Sequence, residues 1–106
     1  MGPVVVLTAL GAPPDAQRIA RALVDERLAA CVNIVPGVVS IYRWKGNVEQ
    51  EAELILVIKT LAQQVEALKK RLLELHPYEL PEVVVIPIAD GHKPYLDWLA
   101  EQVTPL

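Results

Sequence analysis

From Val32 to Thr60 the chain runs out and back about one short turn signal, Lys45-Gly46-Asn47. On the way out Val39, Ile41 and Arg43 share one face, and Val38, Ser40, Tyr42 and Trp44 share the other, the period-two pattern of a strand. On the way back, from Val48, the alternation gives way to a continuous apolar run from Leu54 to Ile58. Two such segments joined by a tight turn form a hairpin. The change of pattern predicts a tip that leaves the core and a base that sits within it. That hairpin needs a sheet to join, and the flanking sequence supplies one.

Val4 to Leu10 is a short Val-rich run, read as a buried strand, and Gly11-Ala12-Pro13-Pro14-Asp15 breaks it. Ala16, Ile19, Ala20, Leu23 and Val24 then recur at helical spacing, predicting an amphipathic helix from Pro14 to Leu28. The strand from Val32 to Trp44 is interrupted at Pro36-Gly37. After the hairpin, Leu61, Val65, Leu68, Leu72 and Leu75 form a second helical stripe. His76-Pro77-Tyr78 ends it, because the residue before a proline disfavours the helical region. Val83 to Ala89 reads as a last strand, Asp90-Gly91 as a turn, and Pro94 to Val103 as a short closing helix. The order β-α-β-β-α-β plus one helix predicts an α+β, ferredoxin-like sandwich in a single domain, residues 1–106, with an extended hairpin between its second and third strands. Proline cannot donate to a sheet ladder and belongs at edges and bulges. Pro36 falls in the second strand and Pro87 in the fourth, the two edge positions of that topology, while the first and third strands are read as proline-free.

Hydrophobic residues make up 53% of the chain against roughly 45–50% for an ordinary soluble domain. The surplus, with Tyr42 and Trp44 on a long arm, points to a homo-oligomer in which the arm packs on neighbouring subunits. A net charge of −3 with no basic block argues against a nucleic-acid partner. No apolar run reaches the roughly 20 residues a membrane span needs. The first residues carry no basic flank or cleavage site, so the expected compartment is the cytoplasm. Absent Phe, a single Met and nine prolines fit a thermostable protein.

Five segments, in order and with consistent spacing from Val4 to Leu99, resemble the CutA family of divalent cation tolerance proteins. They are Arg27-Leu28-Ala29-Ala30-Cys31-Val32-Asn33-Ile34, then Ser40-Ile41-Tyr42-Arg43-Trp44-Lys45-Gly46, then Glu53 with the apolar run into Lys59-Thr60, then His76-Pro77-Tyr78 with Pro81-Glu82, and finally Gly91, Tyr95 and Trp98. The resemblance implies a homotrimer of ferredoxin-like subunits whose hairpins wrap their neighbours. It also implies kinship with PII-type signalling trimers, which bind small effectors in clefts between subunits. It implies a role in response to metal ions, with copper binding in some members, and no enzymatic activity. Some bacterial members carry a cysteine at the end of the first strand and a doubled histidine before Pro-Tyr as proposed copper ligands. Here Thr8 and Leu75 stand at those positions, and only His76 remains.

Candidate site residues follow from chemistry and from that resemblance. Cys31, the one cysteine, reads either as a small core residue or as a soft ligand for copper. His76 reads either as a helix-end residue bonding a free carbonyl or as a metal ligand, and His92 as a solvated turn residue. Glu49, Glu51 and Glu53 share a strand face, as a wet hairpin surface or as a hard-cation site. Glu53 stands out because it also falls in a family segment. Lys59 needs solvent or a partner such as Glu53, Glu82 or a bound anion. Tyr42, Trp44, Tyr78 and Trp98 line an intersubunit cleft or pack an interface. Gly11 before a helix is a weak phosphate signal, because the two following prolines remove amide donors. No nucleophile–base pair appears, so an enzyme is not expected. The leading expectation is a metal-responsive binding protein with no required cofactor, taking copper or another divalent cation. The alternative is a PII-like sensor of a small anion that signals to a protein partner.

Overall fold

The computed structural model describes residues 2–104. The chain is built from β1 (Pro3–Leu10), α1 (Pro13–Asp25), β2 (Cys31–Trp44), β3 (Asn47–Leu61), α2 (Val65–Leu75), β4 (Val84–Pro87) and α3 (Lys93–Val103), with a 3-10 turn at Ala62–Gln64. The four strands form one antiparallel sheet in the order β2-β3-β1-β4. This is the expected ferredoxin-like α+β arrangement. Pro36 and Pro87 lie on the edge strands β2 and β4, as their missing N–H groups require. Pro3 opens the interior strand β1, contrary to the proline-free reading. It is tolerated as a strand's first residue, opposite Leu61.

Side-chain alternation gives the sheet two unlike faces. Val4, Val6, Leu10, Leu54, Leu56 and Ile58 turn to the helices and pack with Ile19, Leu23, Leu68 and Leu72. Fully burying each large aliphatic side chain here is worth roughly 1.5–3 kcal/mol. Thr60, on the same face, satisfies its hydroxyl on the Leu28 carbonyl at 2.7 Å. Thr8 is fully buried, and among the described residues its hydroxyl has no partner. On the other face Val5, Leu7, Ile55 and Val57 are only half-buried, and Val35, Val84 and Ile86 are exposed. α3 covers one end of that face, where Leu99 and Val103 pack with Ala30 and Leu61.

Helix ends differ from expectation for local reasons. α1 stops at Asp25, and Val24, placed on its stripe by spacing, is exposed. Arg27 takes a left-handed φ of 58°, and the N–H groups of Leu28 and Ala29 both turn back to the Leu23 carbonyl. α2 begins at Val65 rather than Leu61. Leu61 stays in the ladder opposite Pro3, and its side chain is taken by α3. β4 keeps only four residues of the expected Val83–Ala89. None of the helices among the described residues is long and apolar enough to cross a membrane.

The hairpin divides at a bulge between Val35 and Val38, where Gly37 adopts φ +73° after Pro36. Beyond it the arm is two-faced. Val38, Ser40 and Tyr42 pair with Glu53, Glu51 and Glu49, while Val39, Ile41 and Val48 lie on the opposite face, each more than three-fifths exposed.

Candidate functional site

The site grows from the end of α2. His76 leaves the helix in an extended conformation that directs its ring inward, where it is buried. Its Nε2–H donates to the Ala9 carbonyl at 3.0 Å, and its Nδ1 accepts the Tyr78 N–H at 3.1 Å. The two bonds assign the tautomer and pin the loop against the end of β1. The rings of His76 and Tyr78 meet edge-on at 4.8 Å. Tyr78 is thereby aimed across Gly11, and its hydroxyl donates to Glu53 Oε2 at 2.6 Å. A Cβ on Gly11 would stand 3.3 Å from the Tyr78 oxygen, so the glycine leaves the hydroxyl its path.

Glu53 is 8% exposed, and that remainder faces a cleft of about 680 Å³ at the base of the arm. This is the size at which small-molecule sites are found. Tyr42, Trp44 and Glu51 contribute from the arm, Ala9 and Gly11 from the end of β1, and Tyr78, Glu79 and Glu82 from the loop after α2. Lys45 at the tip reaches Glu79 at 4.0 Å and stands 5.6 Å over the Trp44 ring, linking arm to loop. Burial foremost, then the hydrogen bond to Glu53, pushes the Tyr78 hydroxyl well above the ordinary tyrosine value. The Tyr42 hydroxyl is raised too, by partial desolvation first and then by Glu51, Glu53 and Glu49.

Five of the residues singled out in the sequence, Tyr42, Trp44, Glu53, Tyr78 and Glu82, therefore meet in one cleft. Lys59 does not join them or pair with Glu53 or Glu82. It lies six residues along β3 from Glu53, roughly 20 Å away, and its ammonium sits 5.8 Å over the Tyr95 ring. Trp98 is on α3, beside Arg27 and Val24 in a smaller second cleft. Cys31 is half-buried on the open face of the sheet, paired across strands with Lys59, its thiol 3.7 Å from Asn33 Oδ1. His76 is bonded at Ala9, four residues along β1 from Val5, Lys59's partner on its other side; that is about 13 Å. Among the described residues no three His, Cys, Asp or Glu side chains converge closely enough to hold a metal ion. His92 precedes α3 and is exposed, without a side-chain capping bond. Sequence reading did not single out Arg43 and Glu79 as cleft residues. The alternation along the arm carried no signal for Arg43, and nothing local marked Glu79.

The sequence model of the CutA1 divalent ion tolerance protein family matches residues 4–102. The chain belongs to this family. It is 55% identical over 97 residues to the divalent-cation tolerance protein CutA of Thermus thermophilus, covering 92% of this chain and 94% of that one. It is 48% identical over 89 residues to mouse protein CutA, covering 84% of this chain but only 50% of the longer mouse protein. A solved structure described as the PII-like protein CutA from Nostoc, in apo form, superposes with a TM-score of 0.88 at 47% identity, covering 95% of this chain and 97% of that one. The family places the fold among the PII-like ferredoxin-like domains, and its members are named for cation tolerance rather than for a reaction.

Proposed function

We propose that this CutA-family chain acts by binding rather than by catalysis, as a homotrimer whose ligand site is the cleft at the base of the arm. The observation that carries this reading is Glu53, a carboxylate more than nine-tenths buried yet facing the cleft, with its only hydrogen bond from Tyr78 and no cationic side chain paired with it among the described residues. A buried charge without a countercharge is costly, so such a group marks a place where a positive ligand is gained.

Assembly is supported by the half-covered apolar sheet face and by Val39, Ile41 and Val48 along the outer face of the arm. Copper or another divalent cation fits the family's name; for it the cleft carboxylates, Glu53 foremost, are proposed ahead of Cys31 and His76, neither of which lines the cleft. His76 would have to release one of its two present hydrogen bonds to serve. The alternative of an anion sensor draws less support, because Glu51, Glu53, Glu79 and Glu82 line the cleft with Arg43 as the only cation among the described residues of its walls.

Calorimetric titration with Cu²⁺ and Zn²⁺, with stoichiometry from light scattering, tests the proposal. It expects three times the subunit mass and saturable binding that Glu53→Gln weakens. A monomer at micromolar concentration, or binding indifferent to Glu53, would overturn it.

A further inference from the structure

The shape and lining of the cleft narrow the class of ligand. Its carboxylates are spread along the walls instead of meeting at a point, and among the described residues no cluster suited to a metal ion forms. Glu51 and Glu53 are neighbours on one face of β3, with Cα atoms roughly 6.8 Å apart. Neither forms an ion pair among the described residues. Only Oε2 of Glu53 is hydrogen-bonded there, which leaves Oε1 free to accept from a donor in the cleft. Tyr42, Trp44 and Tyr78 supply aromatic rings to the same walls, and ring faces attract ammonium groups. Pro77 and Leu80 add apolar surface that suits methylene groups. The volume, about 680 Å³, is far larger than a bare ion needs.

We propose that the cleft takes a small aliphatic diamine or polyamine, with one ammonium on Glu53, a second on Glu51, and the methylene chain against Tyr42, Trp44 and Tyr78. This rests on the cleft being the ligand site, and it names the chemistry of the occupant. Two ammonium groups on a short chain match two carboxylates on alternate strand positions.

The test is calorimetry on the full-length protein with 1,4-diaminobutane, with succinate as a dianion of the same chain length, and with Zn²⁺. The expected result is saturable binding of the diamine at one site per subunit, weakened by added salt, with succinate silent. Glu51→Gln, an exposed substitution that leaves the fold alone, weakens the diamine by about tenfold. Saturable Zn²⁺ or succinate binding that Glu51→Gln alters, with the diamine silent, overturns the diamine and keeps the cleft. Silence from all three overturns both; a lysine or arginine of a neighbouring subunit on Glu53 gives that result. Diamine binding that Glu51→Gln leaves unchanged places the amine elsewhere and overturns the inference.

Discussion

The Tyr78 hydroxyl donates to Glu53 Oε2 at 2.6 Å, and this one bond joins the loop after α2 to the base of the arm. His76 orients the tyrosine, Gly11 leaves it room, and Glu53 receives it on the wall of the cleft. The bond gives the cleft a fixed floor and keeps a buried carboxylate solvated by a protein donor.

Tyr78→Phe removes the donor and leaves the Glu53 carboxylate without its hydrogen bond. We expect a loss of about 1–3 kcal/mol, the desolvation cost of an orphaned buried acceptor. Urea unfolding of the two proteins measures it. Equal midpoints would mean that water or a neighbouring subunit takes the place of the hydroxyl.

The same tyrosine predicts an alkaline limit. Its folded-state value lies above the ordinary 10.0, because burial and then Glu53 disfavour the phenolate. Above pH 10 the unfolded chain releases a proton that the folded chain retains. The contribution of Tyr78 is therefore complete below pH 10 and declines as pH rises beyond it. Thermal unfolding between pH 9 and pH 11, in roughly half-unit steps, should show a steeper fall for wild type than for Tyr78→Phe. Parallel curves would contradict this.

Gly11→Ala puts a methyl group 3.3 Å from the Tyr78 oxygen, and the hydroxyl must yield by a few tenths of an ångström. The expected cost is about 1 kcal/mol. In a Tyr78→Phe background that cost should shrink, and a double-mutant cycle reads the coupling. Strict additivity would show that the glycine serves some other purpose.

Thr8 carries a fully buried hydroxyl on the helix-facing side of β1, with no partner among the described residues. Thr8→Val replaces it with a methyl group of similar shape. We expect a gain of about 1 kcal/mol in unfolding free energy, because an unsatisfied polar group is removed from the core. A loss instead would reveal a hidden partner for the hydroxyl.

The strand and helix order was legible because each element keeps its own period, and the edge positions of Pro36 and Pro87 followed from their missing donors. Leu61 was misread because one leucine satisfies two patterns. It continues the ladder opposite Pro3 and also begins a helical stripe, and only α3 decides between them. Glu53 and Tyr78 were recognisable as chemistry, but no local period says that the loop after α2 crosses Gly11 to bring them together. Lys59 and Trp98 were grouped with them by residue type. Strand register sends Lys59 to the far end of β3, and Trp98 goes with α3.

Trp44 lies at the tip of the arm, away from the helices, and lines the cleft. In the proposed homotrimer, Trp44→Ala should lower resistance to dilution while leaving the far-UV circular dichroism of the subunit unchanged. An intact trimer with unaltered thermal stability would count against the wrapping arm.

The most direct measurement is a calorimetric titration of wild type, Glu53→Gln and Cys31→Ser side by side, with 1,4-diaminobutane, Cu²⁺ and Zn²⁺. The account predicts saturable binding at one site per subunit, lost or at least about tenfold weaker in Glu53→Gln and unchanged in Cys31→Ser. Binding that survives Glu53→Gln and disappears with Cys31→Ser would move the functional site to the open face of the sheet and contradict the cleft.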